Sequence, residues 1–279
     1  MNKQVIYAIL TILLIPIGIF LVFVNMAGET SVPDSKPVVI ATDNIAYQQI
    51  AAAIAGKHGK TELISNVTDQ AQKIKFKKSE LIITDTHESQ LLTRAKQWGV
   101  SARLVIASDY ITDGKNYRNV YLSPQTTLNM ATKITDQLSD MDPRNRNSYV
   151  ANKQSLLKKT AKLTSVFQNL KKSKNVTYLA TNQSQELMMT QLGYQSASND
   201  VDKLDDDAMT ALEKKMSDQK IDFVLTATQD QTNHDKQLIA AAKKDNVPVV
   251  TFNQVLPQNA YIWSWQLSQL RLIQKALAQ

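Results

Sequence analysis

The stretch "NVYLSPQTTLNMATKITDQLSDMDPRNRNSYVANKQSLLKKTAKL", residues 119–163, decides the fold. It opens with a strand-like run at 119–122. Ser123 then offers a helix N-cap and Pro124 a first helical position, where a missing N–H is no loss. Leu128, Ala131, Ile134 and Leu138 recur at three- and four-residue spacing and make one apolar face. A second helix start follows at once, with Asp142 as cap and Pro143 in the first turn. Tyr149, Leu156, Leu163, Phe167 and Leu170 carry the spacing onward. Residues 142–172 therefore read as one helix, on the order of 40 Å long at about 1.5 Å per residue. Such a rod would join two bodies and permit little hinge motion.

The flanking sequence supplies the two bodies. Before the rod, "PVVIAT" (37–42), "ELIS" (62–65), "SELIIT" (79–84) and "ARLVIA" (102–107) are strand candidates. Helices fit between them, over 44–56 and from about His87 to Trp98, each stopped by a glycine. After the rod, "NVTYLAT" (175–181), "IDFVLTA" (221–227) and "VPVVTF" (247–252) repeat the plan, with helices near 183–192, 205–219, 231–245 and 260–278. Most of these strands are continuous β-branched runs without alternation, which suits parallel sheets buried on both faces. The fold class is α/β: an N-terminal lobe (37–141), the connecting helix (142–172) and a C-terminal lobe (173–279), each lobe a mainly parallel sheet flanked by helices.

The N-terminus has a different character. "VIYAILTILLIPIGIFLVFV" (5–24) is an uncharged run of 20 residues, long enough for a transmembrane helix. Lys3 precedes it and no basic residue follows until Lys36, so the positive-inside rule exports the remainder. A cleaved signal peptide is the rival reading, but the run is long for one and "VNMAGET" offers a poor cleavage site. An uncleaved membrane anchor is favoured, with residues 25–36 as a short polar stalk. The net charge is +7, from 32 basic and 25 acidic residues, which favours anionic surroundings. The basic residues are scattered without interleaved aromatics, which argues against nucleic-acid binding. The chain has no cysteine, which excludes disulfides, thiolate metal sites and a lipid-modified cysteine.

Stretch 119–163 resembles the middle of the zinc and manganese substrate-binding proteins of ABC importers, the TroA-like group. Their His-Val-Trp-Leu-Asp/Ser-Pro segment, amphipathic helix and Asp-Pro helix start all have counterparts here, and the closing "YIWSWQLSQLRLIQKAL" is similar to their last helix. The resemblance covers roughly 37–279. It implies two lobes on one helix with a zinc or manganese ion in the cleft, delivered to an ABC permease. At the positions matching the family's metal ligands, however, this chain carries Asn119, Asn182 (with Gly193 fixing the register), Leu225, Asn259 and, for the first histidine, Asn66 or Val67. Only "ITDGKN" stands where many zinc members have a His-rich loop. Asparagine is neutral and binds transition metals weakly beside imidazole or carboxylate. The resemblance thus implies an inherited metal site that has been lost. Zinc or manganese is the cargo only if the family function is retained.

Several residues also have simpler roles open to them. Asn119, Asn182 and Asn259 fit either a polar pocket for another ligand or residual cleft residues held by local hydrogen bonds. A rebuilt metal site would need His58, His87 or His234 to converge with Asp69, Asp85, Glu186 or Asp230. His87 and Asp230 are the best placed of these, yet no His-x-x-x-His spacing supports them. Asp202 and Asp205–Asp207 lack a calcium-loop pattern and read as an acidic helix start. Trp263, Leu267, Leu270 and Leu277 have the spacing of core, with Tyr261 and Trp265 beside them. No nucleophile–base set, paired catalytic carboxylates or phosphate loop is apparent, so the chain reads as a binder rather than an enzyme. The alternative to an importer's receptor is a membrane-anchored surface scaffold, adhesin-like or regulatory protein on the same frame.

Overall fold

Val38–Thr42 forms β1, and a computed structural model of the chain, which describes residues 15–16, 36–66, 68–198, 201–229 and 231–279, builds everything else around it. The chain turns into α1 (Ile45–Ala55), where the Asn44 side chain caps the Ala46 N–H at 2.8 Å. β2 (Gly59–Leu63) returns parallel to β1, a few residues ahead of the expected 62–65. α2 (Gln70–Phe76) has no counterpart among the expected elements. It is short and lysine-rich and buries only Phe76, but Asp69 accepts from the Gln72 N–H at 2.8 Å and starts it. β3 (Leu81–Thr84), α3 (Gln90–Trp98) and β4 (Arg103–Ile106) complete the first sheet, in the order β2-β1-β3-β4 with every pair parallel. α3 begins at Gln90, after His87, because Ser89 caps it.

The strand-like run at 119–122 is instead a 3-10 turn, Val120–Leu122. Asn119 starts it in the left-handed region, at φ 55°. α4 (Pro124–Met141) follows as expected, but the Ser123 hydroxyl donates to Gln191 rather than capping it. The single rod is corrected too. Pro143–Asn145 is a 3-10 turn, α5 covers Arg146–Lys159, and α6 covers Ala161–Leu170. The break falls at the buried Thr160, whose hydroxyl donates back to the Leu157 carbonyl at 3.1 Å. Such back-bonding by threonine bends helices.

The second half contains β5 (Thr177–Ala180), α7 (Glu186–Leu192), a two-residue β6 (Gln195–Ser196), α8 (Asp206–Ser217), β7 (Phe223–Ala227), α9 (Asn233–Lys244), β8 (Val249–Phe252) and α10 (Ile262–Ala276). Its sheet runs β6-β5-β7-β8, again parallel throughout. Asp205 caps α8 with Asp206 and Asp207 in its first turn, as the acidic stretch suggested. The two halves are not separate cores. One apolar cluster runs from Ile40 and Tyr47 through Tyr149 and Phe167 to Phe223 and Leu270, within the compact unit Pro37–Gln279. Apart from Ile15 and Pro16, the run 5–24 lies outside the described residues. Among the described residues no helix is long and apolar enough to cross a membrane.

Where the rod starts, the buried Tyr149 hydroxyl donates to Asp142 at 2.9 Å. Tyr149→Phe should lower unfolding stability by about 1.5–3 kcal/mol, the usual worth of a hydrogen bond to a charged group. Urea denaturation checks this, and an unchanged midpoint would show that Tyr149 contributes through its ring alone.

Candidate functional site

The strands of a parallel sheet present their C-terminal ends to ligands. Here the C-terminal ends of both sheets open on one cleft of about 670 Å³. Glu88, Arg118 and Asn119 line it from the first half. Asn182, Glu186 and Lys203 line it from the second. The walls are polar, with opposite charges interspersed.

Asp85, immediately after β3, sets the shape of the first wall. Its Oδ2 accepts from the Val120 N–H and its Oδ1 from the Tyr121 N–H, each at 3.0 Å, and the buried Tyr47 hydroxyl of α1 donates to Oδ1 as well. This grip fixes the 3-10 turn and so holds Asn119 at the rim in a conformation asparagine tolerates well. Burial pushes the Asp85 carboxyl above the usual carboxylate range, and the Tyr47 hydroxyl and the two N–H groups pull against that rise. Burial also raises neighbouring Asp43, which accepts from the Ser89 hydroxyl at 2.5 Å.

The second wall is built by Asn182 after β5. Its Oδ1 accepts from the Ser184 N–H at 3.0 Å and begins the turn that leads into α7. Cross-links close the cleft floor. The Tyr121 hydroxyl donates to the Gln254 carbonyl at 3.2 Å, and Gln254 Nε2 donates to Ser184 Oγ at 3.0 Å. Asn253, at the end of β8, accepts from the Thr228 hydroxyl at 2.8 Å.

Of the positions singled out in the sequence, Asn119 and Asn182 meet in this cleft. Leu225 does not: it is 1% exposed within β7 and belongs to the apolar core. Asn259 is not a lining residue either. It sits at φ 67° just before α10, beside the Gln49 side chain, which binds the Ala260 carbonyl and the Ile262 N–H at 2.8 Å each. Asn66 lies in an exposed turn after β2, where its Oδ1 accepts from the Thr68 N–H and hydroxyl at 2.9 and 2.7 Å. His87 is exposed and pairs with Asp109 at 2.5 Å, while His58 meets the Tyr149 ring edge-on. Val67 and Asp230 lie outside the described residues. Among the described residues, no three His, Asp or Glu side chains are grouped to hold a metal ion. The structural parts played by Asp85, Asn253 and Gln254 go beyond the sequence reading, although Asp85 and Asn253 each directly follow a strand-like run, a usable signal in a parallel sheet.

The family model for the zinc-uptake complex component A, periplasmic (ZnuA), matches residues 38–276. The chain belongs to this family. No curated protein matches it. Among solved structures it resembles a manganese-bound mutant of a periplasmic metal binding protein from Candidatus Liberibacter asiaticus, at 16% identity and TM-score 0.67 over 87% of this chain and 100% of that one. The cadmium-bound form of that protein is similar at 15% identity and TM-score 0.66, with the same coverage. A mutant laminin-binding adhesin (Lmb) from Streptococcus agalactiae follows at 13% identity and TM-score 0.64, also over 87% and 100%. At these identities the likeness establishes the shared fold.

The raised Asp85 carboxyl has a testable consequence. The folded chain holds this proton more tightly than the unfolded chain, so stability should fall as pH rises above about 4, through the window between the two pKa values. Asp43 acts in the same direction. Asp85→Asn should flatten this slope in urea titrations across that window, leaving the smaller slope due to Asp43. An unchanged slope would remove Asp85 as its source.

Proposed function

We propose that this ZnuA-family chain is the extracytoplasmic solute-binding component of an ABC importer whose inherited metal site has lost its ligands. It works as a receptor, not a catalyst, and delivers its ligand to a permease. One observation carries the reading: Asn119 and Asn182, at two of the family's ligand positions, meet in the same cleft. The side-chain oxygen of Asn182 is already committed to a turn. The nearby carboxylate Asp85 spends both oxygens on Tyr47 and two backbone N–H groups. His87 is engaged by Asp109. A zinc ion needs about four nitrogen, oxygen or sulfur donors at roughly 2 Å, with enough negative charge to replace its water. Glu88 and Glu186 also line the cleft, but among the described residues no three His, Asp or Glu side chains are grouped, so that set is not supplied. The 20-residue run 5–24 tethers the chain as an uncleaved anchor, with the folded part on the outer face of the membrane.

Thermal unfolding with zinc and with manganese tests the reading. A ligand at 100 times its Kd adds about 2.7 kcal/mol. Neither metal should stabilise this chain measurably at low micromolar concentration, and a clear rise in Tm with either would overturn the proposed loss. The anchor is tested separately, since an integral helix should resist extraction of the chain from membranes by high salt.

A further inference from the structure

Charge is distributed unequally along the first sheet. Its C-terminal edge, at the cleft, carries Asp43, Asp85, Glu88 and Asp109. The opposite, N-terminal edge is basic. Lys36 precedes β1, Lys57 ends α1, Lys60 opens β2, Lys77 and Lys78 follow α2, and Lys96 closes α3. Three carboxylates nearby offset part of this charge: Glu62 pairs with Lys60 and Lys75 at 2.8 and 3.2 Å, Glu80 accepts from the Val39 N–H at 3.0 Å, and Asp142 accepts from Tyr149. Among the described residues, no ion pair joins Lys57, Lys77, Lys78 or Lys96 to a carboxylate.

Lysine at a helix C-terminus is ordinary, since it complements the helix dipole. The second sheet's edge has such lysines too, Lys214 and Lys215 among them, and Lys174 and Lys220 stand ahead of β5 and β7. What sets the first edge apart is where the chain enters the described fold: at this edge, at Pro37, only twelve residues after the apolar run 5–24.

We infer that the N-terminal edge of the first sheet is a docking surface for anionic lipid headgroups, and that it seats the folded part on the membrane by that edge. This rests on the anchor reading above for its proximity and on the lysine edge for its chemistry. Each exposed lysine near a bilayer gains from the negative surface potential, and the gain vanishes beyond a Debye length. A soluble or surface polyanion would satisfy the charge but not the position beside the tether, so lipid is the favoured partner.

The test uses the full chain, whose lack of cysteine makes single-site labelling straightforward. Fluorophores at Gln97→Cys, on the docking edge, and at Lys214→Cys, on the second sheet's edge, report energy transfer to a headgroup acceptor. Vesicles are phosphatidylcholine alone or mixed with phosphatidylglycerol. Phosphatidylglycerol should raise transfer from Gln97→Cys but not from Lys214→Cys, and high salt should reverse the rise. Reversing Lys57, Lys77 and Lys78 to glutamate should abolish the response while circular dichroism and Tm stay unchanged. Equal transfer in both lipids overturns the inference. So does a larger response at Lys214→Cys, or an equal rise when dextran sulfate is added to phosphatidylcholine vesicles. Co-flotation in high salt reads the anchor alone. If the anchor fails, the same chain added from solution must still bind phosphatidylglycerol vesicles more tightly than phosphatidylcholine ones, or the docking surface is wrong.

Discussion

The grip of one carboxylate organises this molecule. Asp85 stands where β3 ends and reaches three elements at once: the hydroxyl of Tyr47 on α1 and the backbone N–H groups of Val120 and Tyr121. A buried ionised carboxylate is tolerated only when such donors surround it. Through that grip the first sheet dictates where the cleft loop lies and where α4 begins. Tyr121, thus placed, donates to Gln254, which in turn donates to Ser184. The two halves are therefore registered against each other by a short chain of polar contacts above a continuous apolar core.

Relatives of known structure include manganese-bound and cadmium-bound forms. In this chain the cleft presents amides among charges of both signs, and the strand-end carboxylate Asp85 spends its oxygens on Tyr47 and two backbone N–H groups. Polar groups that hold a loop in place and polar groups that hold a ligand compete for the same lone pairs. Asn182 illustrates the competition: once its Oδ1 accepts from Ser184, its Nδ2 can only donate.

Much of this architecture is legible in the sequence. β1, β3, β5 and β7 are largely continuous apolar runs because both faces of their sheets are covered. Gly193, at φ 81°, ends α7 in a conformation that favours glycine. The features that sequence does not disclose depend on tertiary contacts. α2 buries a single residue, and β6 is two residues long, so neither leaves a periodic trace. The break at Thr160 lies inside an unbroken three-to-four spacing and arises from one side chain bonding its own helix. Asn259 is misplaced by sequence alone because the loop 253–261 has no marker of register. In the structure it is Gln254, one residue past the strand-end Asn253, that reaches Ser184. Leu225 belongs to a strand buried along its whole length, which closes it off from the cleft.

The strand order has a further consequence, for behaviour at high concentration. Open sheet rims invite other chains to add strands and so seed fibrous assemblies. Here one rim of the second sheet is the two-residue β6, too brief to template an addition. One rim of the first sheet, β2, presents the Lys60–Glu62 ion pair along its length. At these two rims a protein crowded against its neighbours is guarded against accretion, at β6 by the same economy of strand length that makes it invisible to inspection of its sequence.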